Sequence, residues 1–280
     1  MAIEKIGIIG AGKMGNGIAI TAALAGYNVL LKDQTIEILE KSMAAIKTQL
    51  AKMVSKNKIT NDESNTALKA INVTSSYDGF EELDFVIEAA VENLEIKASI
   101  FGELDKICKN GAIFVSNTST YSITSIAAAT NHPEQVAGMH FFLPPSKLIE
   151  ITRGYYTSDN TVSAVAEVGE KMGKTIIEVK KDSPGFIANR VYTPLFLEAF
   201  KVYEEGLASM EEIDKAMTST YLPVGPFALA DIIGLDVILS GLEYYEKEIG
   251  AQWKAPRCLK ELVRAGRLGK KTGKGWYDYK

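Results

Sequence analysis

Residues Lys5 to Asp33 read KIGIIGAGKMGNGIAITAALAGYNVLLKD. Lys5 to Ile9 is short and apolar, the composition of a buried strand. It runs directly into Gly10-Ala11-Gly12-Lys13-Met14-Gly15. Ile18 to Ala25 follow at helical spacing, Gly26 ends that helix, and Asn28 to Leu31 reads as a second strand closing on Lys32-Asp33. A G-x-G-x-x-G run between strand and helix, with an acid about 20 residues further on, is a dinucleotide-binding fingerprint. Its glycines have separate duties. Gly10 permits the tight turn, Gly12 lets a pyrophosphate approach the backbone, and Gly15 lets helix and strand pack closely. The helix that opens at Lys13 and Met14 offers N–H groups and positive potential to phosphates. Asp33 is placed to bond the adenosine ribose hydroxyls. Gln34 follows it, with no arginine to hold a 2′-phosphate, so the pattern favours NAD over NADP.

The chain then leaves the sheet. Ile36, Leu39, Met43, Ile46, Leu50 and Met53 recur at spacings of three and four, as in an amphipathic helix. Thr60-Asn61-Asp62-Glu63 supplies an N-cap and an acidic first turn for a second helix through Ala70. Periodicity alone favours a plain helical hairpin over about 35–70. The alternative is a substrate arm whose Lys52, Lys56 and Lys58 meet anionic groups. Strand and helix alternate again from Asp84. Asp84 to Ala89 reads as a buried strand, followed by Val91-Glu92-Asn93 and a helix through Lys106 that contains Lys97. Ala112 to Val115 is the next strand, with Ser116-Asn117-Thr118-Ser119 at its end. Those hydroxyls can hold a ligand or cap the helix near Ile123.

Val136 to Arg153, VAGMHFFLPPSKLIEITR, reads as strand, turn, strand, because Pro144 and Pro145 lack the N–H that a ladder needs. The shape brings Glu150 back toward His140, one of two histidines in 280 residues. An imidazole held by a carboxylate is the build of a general base near neutral pH. A strand-capping histidine beside a solvated glutamate is the plainer alternative. After a helix from Val162 to Met172, Thr175 to Val179 is the last strand.

At Lys181-Asp182-Ser183-Pro184-Gly185 the alternation stops. Helical spacing runs from Phe186 to Val202, Met210 to Met217, Phe227 to Tyr245 and Cys258 to Val263. Asn189 falls within the first of these helices, a mediocre place for asparagine without a bond partner. The glycine- and lysine-rich close, Gly269 to Tyr277, could be a simple tail. The expected fold is therefore α/β: a Rossmann-type, doubly wound, mostly parallel sheet with a helical arm over residues 1–183, then an all-helical domain over 184–280. The apolar helix faces of the second domain suggest a second copy of the chain as partner, a homodimer.

Hydrophobic content of 46% is ample for cores, and a net charge of −4 gives no reason to expect nucleic acid or an acidic membrane surface. No apolar run reaches the length of a membrane span, and the first residues lack a signal-peptide pattern. Cys108 and Cys258 form neither a C-x-x-C pair nor zinc spacing, so no metal is expected and a cytoplasmic location is the simple inference.

Taken together, the fingerprint at Gly10, the arm, Val91-Glu92-Asn93, Ser116 to Ser119, Gly138-Met139-His140-Phe141-Phe142 and Pro184-Gly185-Phe186 with Asn189-Arg190 resemble the L-3-hydroxyacyl-CoA dehydrogenase family. So do Gly225-Pro226, Asp231 with Gly234-Leu235-Asp236, and Gly273-Lys274-Gly275-Trp276-Tyr277. The likeness spans essentially the whole chain. It implies an NAD-dependent interconversion of (S)-3-hydroxyacyl-CoA and 3-ketoacyl-CoA, with 3-hydroxybutyryl-CoA and acetoacetyl-CoA as the expected pair. It also implies a two-domain dimer serving fatty acid or butyrate metabolism. By resemblance, His140 is the catalytic base, Glu150 its orienting partner, and Ser119 and Asn189 hold the substrate oxygen. Glu92, Lys97, Ser119 and Lys271 match NAD contacts beside Asp33, and Lys56 matches a lysine that meets CoA. The chain departs from the family at Leu143, where an asparagine is common, in a turn shorter by two residues, and at Gln49, where a serine is common. Two other readings stay open: the same fold acting on a hydroxy acid without CoA, and a catalytically silent NAD-binding protein.

Overall fold

The computed structural model describes residues 3–142 and 146–279. Leu143, Pro144 and Pro145, where the sequence departs from the family, lie outside them. Chain contacts divide the protein into two compact units, Met1–Ser183 and Pro184–Lys280.

The first unit is built in the order β1 (Lys5–Ile9), α1 (Lys13–Leu24), β2 (Asn28–Lys32), α2 (Ile36–Ser55), α3 (Asn61–Ala70), β3 (Ile71–Thr74), β4 (Phe85–Glu88) and α4 (Leu94–Ile107). It continues through β5 (Ile113–Ser116), α5 (Ile123–Ala127), β6 (Val136–Phe141), β7 (Leu148–Arg153), α6 (Asp159–Lys171) and β8 (Thr175–Val179). The strands form one eight-stranded sheet in the order β3-β2-β1-β4-β5-β6-β7-β8. Every neighbouring pair is parallel except β6 and β7. The order reverses between β1 and β4, and the crevice at that switch point is where such sheets take ligands. Along β4 and β6 every residue is buried, as expected for strands covered on both faces. Ile6, Ile8, Phe85 and Ile87 have no exposed surface, and burying a side chain of this size contributes roughly 1.5–3 kcal/mol. The arm closes with a full capping box: Thr60 Oγ1 accepts from Glu63 N, and the Glu63 carboxylate accepts from Thr60 N.

The sequence reading misses β3. Its four residues, INVT, follow α3 without a break and pair only with β2 at the sheet edge, too short to carry a period of their own.

The second unit contains α7 (Ala188–Glu204), α8 (Met210–Thr220), α9 (Pro226–Ile233), α10 (Leu235–Ile249) and α11 (Arg257–Arg264). Three expectations change here. The run from Phe227 to Tyr245 is two helices, because Gly234 adopts φ +112° and ends α9. Phe186 lies before the first helix with φ 49°, a left-handed backbone rare for a bulky residue. The helix therefore starts at Ala188, and Asn189 sits in its first turn rather than mid-helix. The closing segment is not a tail. Trp276 is buried, stacked on Phe200 at 5.0 Å and edge-on to Phe227 at 4.7 Å. The buried Asp231 carboxylate accepts from the backbone N–H groups of Trp276 and Tyr277 and from the Tyr279 hydroxyl, each at 2.9 Å.

Candidate active site

The glycine run connects β1 to α1 as its spacing requires. Gly10 has φ +105°, and a Cβ there would lie 2.4 Å from Ala89 O, so the end of β1 runs hard against the end of β4. A Cβ on Gly15 would lie 1.7 Å from Gly10 O. Around Gly12 the opposite holds, with nothing within 4 Å of a built Cβ. The first turn of α1 has no side-chain cap and no acidic residue. An open backbone and uncapped N–H groups fit a dinucleotide pyrophosphate. Lys13 is exposed and Met14 half-buried beside it. Asp33 accepts from Ala11 N and from Gln34 N, both at 2.7 Å, which fixes its carboxylate against the glycine turn.

At the ends of β4 and β5 stands a buried ionic chain. Glu88 and Lys97 are 0% and 1% exposed. Lys97 Nζ lies 2.9 Å from Glu88 Oε1, 3.1 Å from Glu88 Oε2 and 3.1 Å from Glu92 Oε2. Glu88 also accepts from Ser116 Oγ at 2.6 Å and from Ala90 N at 2.7 Å. Glu92 accepts from Thr118 Oγ1 at 2.5 Å and from Ser119 N at 3.3 Å. Burial draws the Lys97 pKa down, and the attraction of Glu88 and Glu92 outweighs it, so the group sits above its ordinary 10.5. Lys97, expected at the cofactor, thus has its ammonium enclosed and reaches outward through Glu92. Sequence reasoning passed over Glu88. Its signal was an acid within an otherwise apolar strand, FVIE, which cannot stay charged inside a sheet without a cation.

Ser119 is half-buried, its hydroxyl 3.2 Å from that of Thr120. It does not cap α5. Ser122 does, accepting from Ser125 N at 3.1 Å. Asn117 Oδ1 accepts from Phe141 N at 2.8 Å and ties the end of β5 to the residue after His140.

His140 and Glu150 are direct cross-strand partners on β6 and β7. Opposed residues of an antiparallel pair share a face with Cβ atoms about 5 Å apart, so the register itself brings them together. His140 Nδ1 lies 3.1 Å from Glu150 Oε2. The residues are 6% and 1% exposed, and the Phe142 ring lies 4.2 Å from the imidazole. The other histidine, His132, precedes β6 at its opposite end and bonds Asp105 at 2.8 Å. Neither thiol competes as a nucleophile: burial pushes both Cys108 and Cys258 up to about 12.

The first unit therefore gathers Gly10, Gly12, Gly15 and Asp33 at one turn, Glu92, Lys97 and Ser119 at a second cluster, and His140 with Glu150 at a third. Lys56 stands apart, exposed at the C-cap of α2. Asn189 and Lys271 belong to the second unit, where Lys271 Nζ pairs with Asp236 at 2.6 Å. Among the described residues no helix is long and apolar enough to cross a membrane.

Comparison with known proteins bears on the family of the chain. Residues 5–183 match the model of the 3-hydroxyacyl-CoA dehydrogenase NAD binding domain, and residues 185–279 that of the 3-hydroxyacyl-CoA dehydrogenase C-terminal domain. A probable 3-hydroxybutyryl-CoA dehydrogenase of Bacillus subtilis is 44% identical, over 100% of this chain and 98% of its own. A 3-hydroxybutyryl-CoA dehydrogenase of Clostridioides difficile is 40% identical, over 98% and 99%. The crystal structure of (S)-3-hydroxybutyryl-CoA dehydrogenase from Ralstonia eutropha superposes with a TM-score of 0.94 at 42% identity and covers all of both chains. With both family models and full-length relatives in agreement, the chain belongs to the 3-hydroxyacyl-CoA dehydrogenase family.

Proposed function

We propose that this protein interconverts (S)-3-hydroxyacyl-CoA and 3-ketoacyl-CoA with NAD, on the 3-hydroxybutyryl-CoA and acetoacetyl-CoA pair, and that His140 moves the proton. The observation that carries the role of His140 is its buried bond to Glu150. A carboxylate at Nδ1 fixes that nitrogen as the donor and makes Nε2 the basic one. Bound NAD supplies the two-electron acceptor. In oxidation, His140 Nε2 takes the proton of the 3-hydroxyl, and Glu150 stabilises the imidazolium that results. In reduction, the protonated ring returns that proton to the 3-keto oxygen. Ser119 and Asn189 hold the substrate oxygen, so that orientation as well as acid–base chemistry lowers the barrier. Gly10, Gly12, Lys13, Met14 and Gly15 seat the pyrophosphate, Asp33 the adenosine ribose. Glu92, positioned by Lys97, together with Ser119 and Lys271, serves the nicotinamide half. Lys56 meets CoA.

In the same reading residues 1–183 bind the cofactor, and residues 184–280 serve the substrate and a homodimer contact. The protein works in the cytoplasm, in fatty acid or butyrate metabolism, with neither nucleic acid nor membrane as partner.

The test is NADH oxidation with acetoacetyl-CoA against free acetoacetate. The thioester should be the better substrate by kcat/KM. A preference for the free acid would assign the fold to another hydroxy acid, and tight NADH binding with no turnover would mark a silent protein. The cofactor reading has its own check. A 2′-phosphate beside the anchored Asp33 carboxylate is repelled, so Asp33→Ala should raise the kcat/KM ratio of NADPH to NADH. An unmodified enzyme that works better with NADPH contradicts the assignment.

A further inference from the structure

The ladder between β5 and β6 stops short of the His140–Glu150 pair. Its last partners are Ser116 and Gly138. Beyond them β6 carries Met139, His140 and Phe141, paired in the sheet only with β7. Phe141 is buried, and a buried backbone N–H without an acceptor is costly. β5 ends at Ser116, so no strand residue faces that N–H. The side chain of Asn117 takes the place of the missing strand: its Oδ1 accepts from Phe141 N at 2.8 Å. Its own backbone N–H donates to Glu88 O at 2.7 Å, which fixes the residue to the end of β4. On either side of it, Ser116 Oγ donates to Glu88 at 2.6 Å and Thr118 Oγ1 to Glu92 at 2.5 Å. The triplet Ser116-Asn117-Thr118 thus bonds the Glu88–Lys97–Glu92 cluster with its outer members and the His140 end of β6 with its middle one.

Hydride and proton reach adjacent atoms of the substrate, C3 and its oxygen, so the cofactor side and the base must be held in one frame. Glu150 lies on β7, and the Phe142 ring lies beyond the end of β6. Both orient the imidazole within its own strand pair, and neither fixes that pair against the cluster at the ends of β4 and β5. Beyond the last ladder partners, the Asn117 bond does. We propose that Asn117 is a positioning residue for proton transfer: it clamps the end of β6 to the end of β5, so that His140 Nε2 keeps its spacing from the Glu92 cluster. The inference rests on the reading of His140 as the base and deepens it.

The experiment follows a single turnover of NADH with acetoacetyl-CoA in the unmodified enzyme and in Asn117→Ala, Asn117→Asp, His140→Gln and Asn117→Ala/His140→Gln. Calorimetry reads NADH affinity in parallel. Asn117→Ala should slow NADH oxidation by roughly 10- to 100-fold, the scale of a small misplacement of a reacting group, and leave NADH affinity within a few-fold. In the His140→Gln background the same substitution should cost less than about threefold, because a residue that acts through the ring has nothing left to position. Asn117→Asp still offers Phe141 N an acceptor, so it should recover most of the rate. Its charge also favours the imidazolium, so the fall in reduction rate with rising pH should move to higher pH. An Asn117→Ala enzyme as fast as the unmodified one overturns the proposal. So does an equal loss in both backgrounds, or a loss matched by weakened NADH binding. If Asn117→Ala fails to fold, Asn117→Asp decides through its pH profile, and an unmoved profile overturns the proposal. His140→Gln separates the two readings: an unslowed His140→Gln enzyme removes the base itself, whereas a slowed one beside an unaffected Asn117→Ala removes only the clamp.

Discussion

His140→Gln should lower kcat for acetoacetyl-CoA reduction by roughly 10²–10⁴-fold, the usual worth of a positioned general acid–base. The substitution keeps a polar side chain of similar reach within the face shared with Glu150, so β6 and β7 should keep their register. What it removes is a group that can carry a proton. NADH affinity should stay within a few-fold, because the glycine turn and Asp33 lie on other strands. Glu150→Gln tests the same pair from the other side. An amide can still accept from Nδ1, yet it offers no negative charge to an imidazolium buried beside it. It should lower kcat and move the pH dependence of kcat, with NADH binding again preserved. A His140→Gln enzyme that retains more than a tenth of kcat would remove the ring from the chemistry.

Lys97→Met should destabilise the protein by about 3–5 kcal/mol, the cost of leaving one member of a buried pair without its partner. Glu88 would keep only Ser116 Oγ and Ala90 N as donors in a site with no exposed surface. On a total stability of about 5–15 kcal/mol such a loss is severe. The unfolding midpoint should fall by roughly 6–20 °C, at a few degrees per kcal/mol. Glu88→Leu made together with Lys97→Met should recover most of it, since two apolar groups of similar size bury no orphaned charge. The pH dependence that Lys97 contributes has a definite sign. Because the folded pKa of Lys97 is raised, its contribution is fully present below the ordinary 10.5 and is lost as pH rises through the higher folded value. Midpoints measured by circular dichroism across the neutral range should therefore show no titration from Lys97. A Lys97→Met midpoint within about 2 °C of the unmodified protein would contradict the account.

Much of the architecture was readable because local and global signals coincide. The glycine spacing, the following helix and Asp33 all describe one unit, and the structure closes it with the Ala11 N to Asp33 bond. The strand pair β6 and β7, on either side of residues 143–145, was readable for a similar reason. Prolines stop a ladder, and a turn that differs from the family's by an even number of residues leaves each strand's facing pattern intact, as the His140–Glu150 register shows. Features set by distant contacts were not readable. Asp231 holds the backbone of Trp276 and Tyr277 from about 45 residues away, and nothing in Gly269 to Tyr277 alone distinguishes a packed segment from a tail. Gly234 falls within a continuous apolar period, so its positive φ is invisible until α9 and α10 are seen to part there. Lys97 was expected at the cofactor, and nothing in the period of helix α4 tells that its ammonium is enclosed. Only the position of Glu88 at the end of β4 explains why a cation belongs on the buried side.

The central claim is that the His140–Glu150 pair carries the proton while hydride passes between NADH and the 3-keto carbon. Single-turnover stopped flow tests it most directly: NADH-loaded enzyme is mixed with excess acetoacetyl-CoA, and loss of nicotinamide absorbance is followed in the unmodified, His140→Gln and Glu150→Gln proteins. The account predicts stoichiometric NADH oxidation by the unmodified enzyme. It predicts the same NADH occupancy in both variants, with the first-order rate slowed by roughly 10²–10⁴-fold in His140→Gln and by less in Glu150→Gln. Equal rates in all three proteins, or an unmodified enzyme that holds NADH and leaves acetoacetyl-CoA untouched, would contradict it.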